Sequence, residues 1–119
     1  MNTKIFNSLV LVVCGILFCF IVADTNGKWS GNVDYNGSMV PLSYFFKVEN
    51  GKVTGTSQTP LGIADIVDGK IEKDIMTFKV NINGETAMHT ATVFADSINM
   101  KISYHGDQLY TTLKRSNSQ

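Results

Sequence analysis

The Asn-Gly pairs Asn36-Gly37, Asn50-Gly51 and Asn83-Gly84 constrain this chain more than any other feature. Both residues of such a pair tolerate positive φ, which a two-residue β-hairpin turn requires. Between the turns the residues alternate apolar and polar with a period of two, the pattern of half-buried strands. No helical periodicity appears after residue 23. The reading gives strands over 28–35, 39–48, 52–58, 75–82, 85–94, 98–104 and 108–115. A short, irregular strand over 63–67 is broken by Asp68-Gly69 and resumes at Lys70-Ile71. Pro41 lacks a ladder donor, which places the start of the second strand at an edge or a bulge. Thr59-Pro60-Leu61-Gly62 reads as the clearest longer loop. Gly55 leaves room for a bulky neighbour to approach.

The first 23 residues read as a targeting segment. Lys4 precedes an unbroken apolar stretch from Leu9 to Val22, and Ala23 stands where a peptidase would cut. That stretch is short for a membrane span, which needs about 20 residues. An uncleaved anchor is the alternative. Residues 1–23 are thus expected to be a signal peptide and residues 24–119 a single β-barrel domain. The expected location is exported, periplasmic or extracellular, with no integral membrane span after cleavage. Cys14 and Cys19, the chain's two cysteines, both leave with the signal. The domain must then be held by its core, which argues against a disulfide framework.

Ten Lys and Arg balance ten Asp and Glu, and the basic residues form no stripe. A nucleic-acid partner is therefore not expected. About eight strands with hairpin-length connections leave sticky edges unless the sheet closes. The expected fold is all-β, a single antiparallel up-and-down meander of about eight strands in a closed or partly closed barrel. In such a barrel the first and last strands meet. Trp29 would then lie beneath Arg115, which shares a face with Leu109 and Leu113.

Gly27-Lys28-Trp29 opening the first strand, with Arg115 closing the last, resembles the calycins, the group of lipocalins, avidins and fatty-acid-binding proteins. The stretches Gly27–Gly31, Val53–Thr56, Asp68–Ile71 and Thr112–Arg115 also resemble, in that order, small exported bacterial domains of unassigned activity. The calycin resemblance implies a lipocalin-like barrel whose Trp closes one end under a basic residue of the last strand. This chain is shorter than a typical lipocalin and lacks its disulfides and long lid loop.

The inner face is expected to carry Trp29, Val33, Leu42, Tyr44, Phe46, Val48, Met76, Phe78, Val80, Ile98, Met100, Ile102, Leu109 and Leu113. Tyr44, Phe46, Met76, Phe78, Met100 and Tyr104 are the candidate ligand-binding residues. The methionines adapt to irregular apolar shapes, and the tyrosine hydroxyls would orient a ligand. The expected function is non-catalytic binding of a small apolar or amphipathic molecule. The alternative is a solid barrel binding protein or carbohydrate through surface aromatics, with Phe45 and Tyr110 facing out.

Chemistry finds little support. His89 and His105 lie on different elements with no metal-ligand spacing, and His89 reads as a surface or partly buried strand residue. Asp65 with Asp68, and Glu72 with Asp74, straddle turns, where carboxylates support backbone rather than serve as an acid–base pair. No nucleophile elbow or phosphate loop occurs. No cofactor, metal or enzymatic activity is expected. Asn36-Gly37-Ser38 is formally a glycosylation acceptor but reads as a turn.

Overall fold

The computed structural model describes residues 24–116; residues 1–23, expected to be a signal peptide, and both cysteines lie outside them. Eight strands follow one another: β1 (Gly27–Tyr35), β2 (Ser38–Glu49), β3 (Lys52–Thr59), β4 (Gly62–Glu72), β5 (Ile75–Ile82), β6 (Glu85–Val93), β7 (Ser97–Tyr104) and β8 (Asp107–Arg115). Each pairs antiparallel with the next, and β8 returns to β1, so the sheet is a closed up-and-down barrel.

Turn chemistry explains the connections. Asn36, Asn50 and Asn83 have φ of 52°, 54° and 52°, and the glycine after each is also positive. His105-Gly106 repeats that geometry with φ of 54° and 78°. Histidine is among the few non-glycine residues that enter this region with some frequency.

Curvature comes from two irregularities. The β3–β4 register shifts between Val53 and Thr56, and the β4–β5 register between Val67 and Lys70. Gly55 sits in the first with φ 140°, where a Cβ would lie 1.8 Å from the Phe45 carbonyl oxygen. Gly69 sits in the second, where a Cβ would lie 2.2 Å from the Val53 carbonyl oxygen. Bulges of this kind bend a strand and raise its twist, which a closing sheet requires.

Three expectations change here. Asp68-Gly69 bulges β4 without ending it, because Asp68 takes φ 54° and the ladder to β5 resumes at Lys70. The Pro60-Leu61 connection is a two-residue turn between β3 and β4, not a longer loop. What approaches Gly55 is backbone, not a bulky side chain. Strand bounds otherwise move by a residue or so. Pro41 pairs with Asn32 of β1 but lies beyond the last β2–β3 pair, Ser43 with Gln58, so its missing donor falls where β2 has no β3 partner.

The inward rows meet in one core. At the end where the chain enters and leaves, it is filled by Trp29, Phe46, Val53, Met76, Val93, Ile98, Met100 and Leu113, all buried. Val53, Ile66, Ala87, Ala91 and Val93 join the expected set, while Val48 and Leu109 are only partly buried. Among the described residues no helix is long and apolar enough to cross a membrane.

Candidate functional site

The two ends of the barrel differ. At the first, Trp29 and Arg115 are register partners on the β1–β8 seam, and the guanidinium carbon stands 4.3 Å from the centroid of the indole. The indole Nε1 donates to the Thr25 carbonyl at 2.9 Å. Arg115 Nη1 donates to the Asn26 carbonyl at 2.7 Å, and Nη2 to the Asp24 carbonyl. Arg115 thus ties the incoming segment across the barrel floor and covers the Trp.

The opposite end opens on a cavity of about 310 Å³. Its walls include Val33, Val40, Leu42, Ile82, Ala87, Ile102 and Leu109, one or more from nearly every strand. Tyr35 and Tyr104 stand at its rim, ring centroids 6.1 Å apart. Thr59, Pro60 and Leu61 form one lip, and Leu61 is largely exposed although it lines the opening. The first residues of β2 lack a β3 partner, so this lip faces a stretch of single-sided ladder.

The cavity narrows onto a polar pair. His89 is 2% exposed and Tyr44 is 2% exposed. Tyr44 Oη and His89 Nε2 are 3.0 Å apart, and His89 Nδ1 is 3.1 Å from the Ala87 carbonyl oxygen. A carbonyl only accepts, so Nδ1 carries the imidazole proton. Nε2 is then the acceptor, and Tyr44 donates to it. The Ser57 hydroxyl is a second polar neighbour of the phenol. Phe78 stacks on the imidazole at 4.4 Å between centroids, and Phe46 stacks on Tyr44 at 5.7 Å. Burial holds the imidazole neutral, lowering its pKa to about 4, and pushes the Tyr44 phenol well above its ordinary value. Both groups are therefore uncharged near neutrality, as an apolar surround demands.

Of the six candidate ligand residues, the structure brings Tyr44 and Tyr104 to the cavity. Phe46, Met76, Phe78 and Met100 are fully packed below it and are not among its lining residues. His89, expected to be a surface or partly buried strand residue, is instead fully buried. Period-two alternation with Ala87, Ala91 and Val93 puts it on the inward row. That parity was present in the sequence, but a polar residue between Met88 and Thr90 concealed it. Phe45 and Tyr110 are both exposed, on β2 and β8 with β1 between them. Asp65, Asp68, Glu72 and Asp74 are exposed, and Asp68 lies 3.4 Å from Lys79. No group of three His, Cys, Asp or Glu converges as a metal set among the described residues. No protein-family model matches the chain, and no curated protein matches it in sequence.

Proposed function

We propose that this is an exported, non-catalytic, calycin-like binding protein that takes a small apolar or amphipathic molecule into the open end of its barrel. One observation carries the reading: a cavity of about 310 Å³, walled by aliphatic side chains and open to solvent through a rim of two tyrosines. Ligand pockets start near this volume, and it is about twice the ~150 Å³ apolar cavity that takes up benzene. Binding would follow from desolvating an apolar ligand against Val33, Leu42, Ile102 and Leu109. The Tyr44–His89 pair argues against an acid–base role, because each of its protons is already committed to a protein acceptor.

The test is displacement of the apolar fluorophore N-phenyl-naphthylamine, paired with native mass spectrometry of protein from its own host. Saturable binding that Ala87→Leu removes is the expected result, since the larger side chain projects into the cavity. A fluorophore that binds neither protein would leave a solid barrel acting through surface aromatics such as Tyr110. Trp29 fluorescence is a poor reporter, because the indole sits at the far end of the barrel.

A further inference from the structure

The basic residues of this chain avoid one end of the barrel, whereas acidic residues occur at both, with Glu49, Glu72, Asp74 and Asp96 at the Trp29 end. Lys28, Lys52, Lys70, Lys73, Lys114 and Arg115 all lie in or beside the turns and termini at the Trp29 end. The four turns around the cavity mouth, residues 35–38, 59–62, 82–85 and 104–107, contain no Lys or Arg. They do contain Glu85 and Asp107. Strand alternation places both on inward-facing rows: Glu85 continues the row of Ala87 and His89 and pairs with Ile82, and Asp107 continues the row of Leu109 and pairs with Tyr104. Each carboxylate is thus the first residue of an inward row, exposed at the mouth and outside the residues that line the cavity itself. Glu85 Oε1 lies 3.4 Å from His105 Nδ1 on the neighbouring turn.

The floor sets the ligand's orientation. Tyr44 donates to His89, His89 donates to Ala87, and no buried side-chain nitrogen or oxygen among the described residues lacks a partner. A polar head pushed down to this floor would find no free donor and would be desolvated without recompense. The apolar part of an amphiphile therefore goes in first and its head stays at the rim. There it meets two carboxylates and the faces of Tyr35 and Tyr104. Both attract a cation, the first by Coulomb interaction and the second through the ring quadrupole. A carboxylate or phosphate head would meet the same field as repulsion.

Resting on the binding function proposed above, we infer that the ligand is an organic ammonium with an apolar tail, held tail-down with its cationic head among Tyr35, Tyr104, Glu85 and Asp107.

Three compounds with one tail separate the head from the cavity: octylamine, octanol and octanoate, each displacing N-phenyl-naphthylamine at neutral pH and low salt. Octylamine is expected to bind tightest and octanoate weakest. The double variant Glu85→Gln/Asp107→Asn should weaken octylamine by roughly three- to tenfold, the scale of two exposed charge contacts, and leave octanol unchanged. Octanol serves as the folding control for that variant. Added salt should narrow the gap between amine and alcohol. Octanoate binding as tightly as octylamine, or a double variant that leaves the amine untouched, overturns the head-group inference while the cavity stands. Failure of all three compounds to bind overturns the cavity as well.

Discussion

The closed and open ends of this barrel are built by the same alternation on the same strands, yet one is packed and the other hollow. β6 shows why. Its inward row runs Ala87, His89, Ala91, Val93. Ala91 is flanked in register by Met76 and Met100, whose long flexible side chains fill the space a small residue leaves. Ala87 is flanked by Val80 on one side, with Ile102 and Tyr104 on the row beyond, and the space stays open. Topology therefore fixes the barrel's width, but the size of the inward side chains decides which half is solid. The buried Tyr44–His89 pair divides the two halves.

The sharpest contrast is expected from truncation at the two ends. Trp29→Ala removes a fully buried indole, its bond to the Thr25 carbonyl and the surface on which Arg115 stacks. It should cost about 3–5 kcal/mol, a large share of a small domain's stability. Ile102→Ala, on the cavity wall, enlarges a space that already exists and should fall near the bottom of its range, about 2 kcal/mol. Chemical denaturation of both variants checks this. Equal losses would mean that the two ends are packed alike.

The dividing pair has a pH signature. His89 is held neutral in the fold, with its pKa lowered to about 4 from an ordinary 6.5. Above pH 6.5 the imidazole is neutral folded or unfolded and contributes no pH dependence. As pH falls from 6.5 towards 4, the unfolded chain takes up a proton that the folded chain refuses, so stability falls with it. The full loss is about 3 kcal/mol by proton linkage. Subtracting the pH profile of His89→Leu from that of the wild type isolates this window from the carboxylates that titrate nearby. A difference curve that is flat between pH 6.5 and 4 would mean that the imidazole is not sealed between the two halves.

The closed end was more legible in the sequence than the open one, for a physical reason. Asn-Gly turns, period-two rows and the Trp29/Arg115 pairing are local or terminal signals, and each names its own residues. A cavity is a deficit: it depends on what several strands fail to supply at one level. Ala87 and Val33 look like ordinary inward residues until closure of the barrel brings them to one cavity. The same holds for Phe46, Met76, Phe78 and Met100. Their chemistry suits a ligand, but their register buries them under the polar pair. Asp68-Gly69 misleads in a related way, because the same dipeptide that ends a strand also makes a bulge in a continuous one.

At the closed end, Arg115→Ala removes the stack on Trp29 and two bonds to backbone carbonyls. The side chain is exposed on its outer surface, so the expected loss is about 1–2 kcal/mol. That corresponds to a Tm lower by roughly 5–15 °C for a domain of this size. Arg115→Lys keeps the charge but not the forked donor and should recover only part of it. Full recovery by lysine would reduce the contact to simple charge. An unchanged Tm in Arg115→Ala would remove the contact from the closed end's stability altogether.

The smallest expected effect is also the most direct test of the contrast, because it uses two alanines of one strand facing the same way. Ala87 and Ala91 are both essentially inaccessible to solvent. Valine adds the same two methyl groups at each, and its gain in strand preference is shared, so that gain cancels in the difference. At Ala91 the added atoms must displace Met76 and Met100, at about 1 kcal/mol, the low end of overpacking costs. At Ala87, which lines the cavity, the added atoms have room to be taken up on that side, and the change should lie within ~0.5 kcal/mol of zero. Denaturant midpoints measured side by side, with unchanged m-values, give the comparison. If Ala87→Val costs as much as Ala91→Val, the open end is filled in solution, and the barrel is solid from the indole to the tyrosine rim.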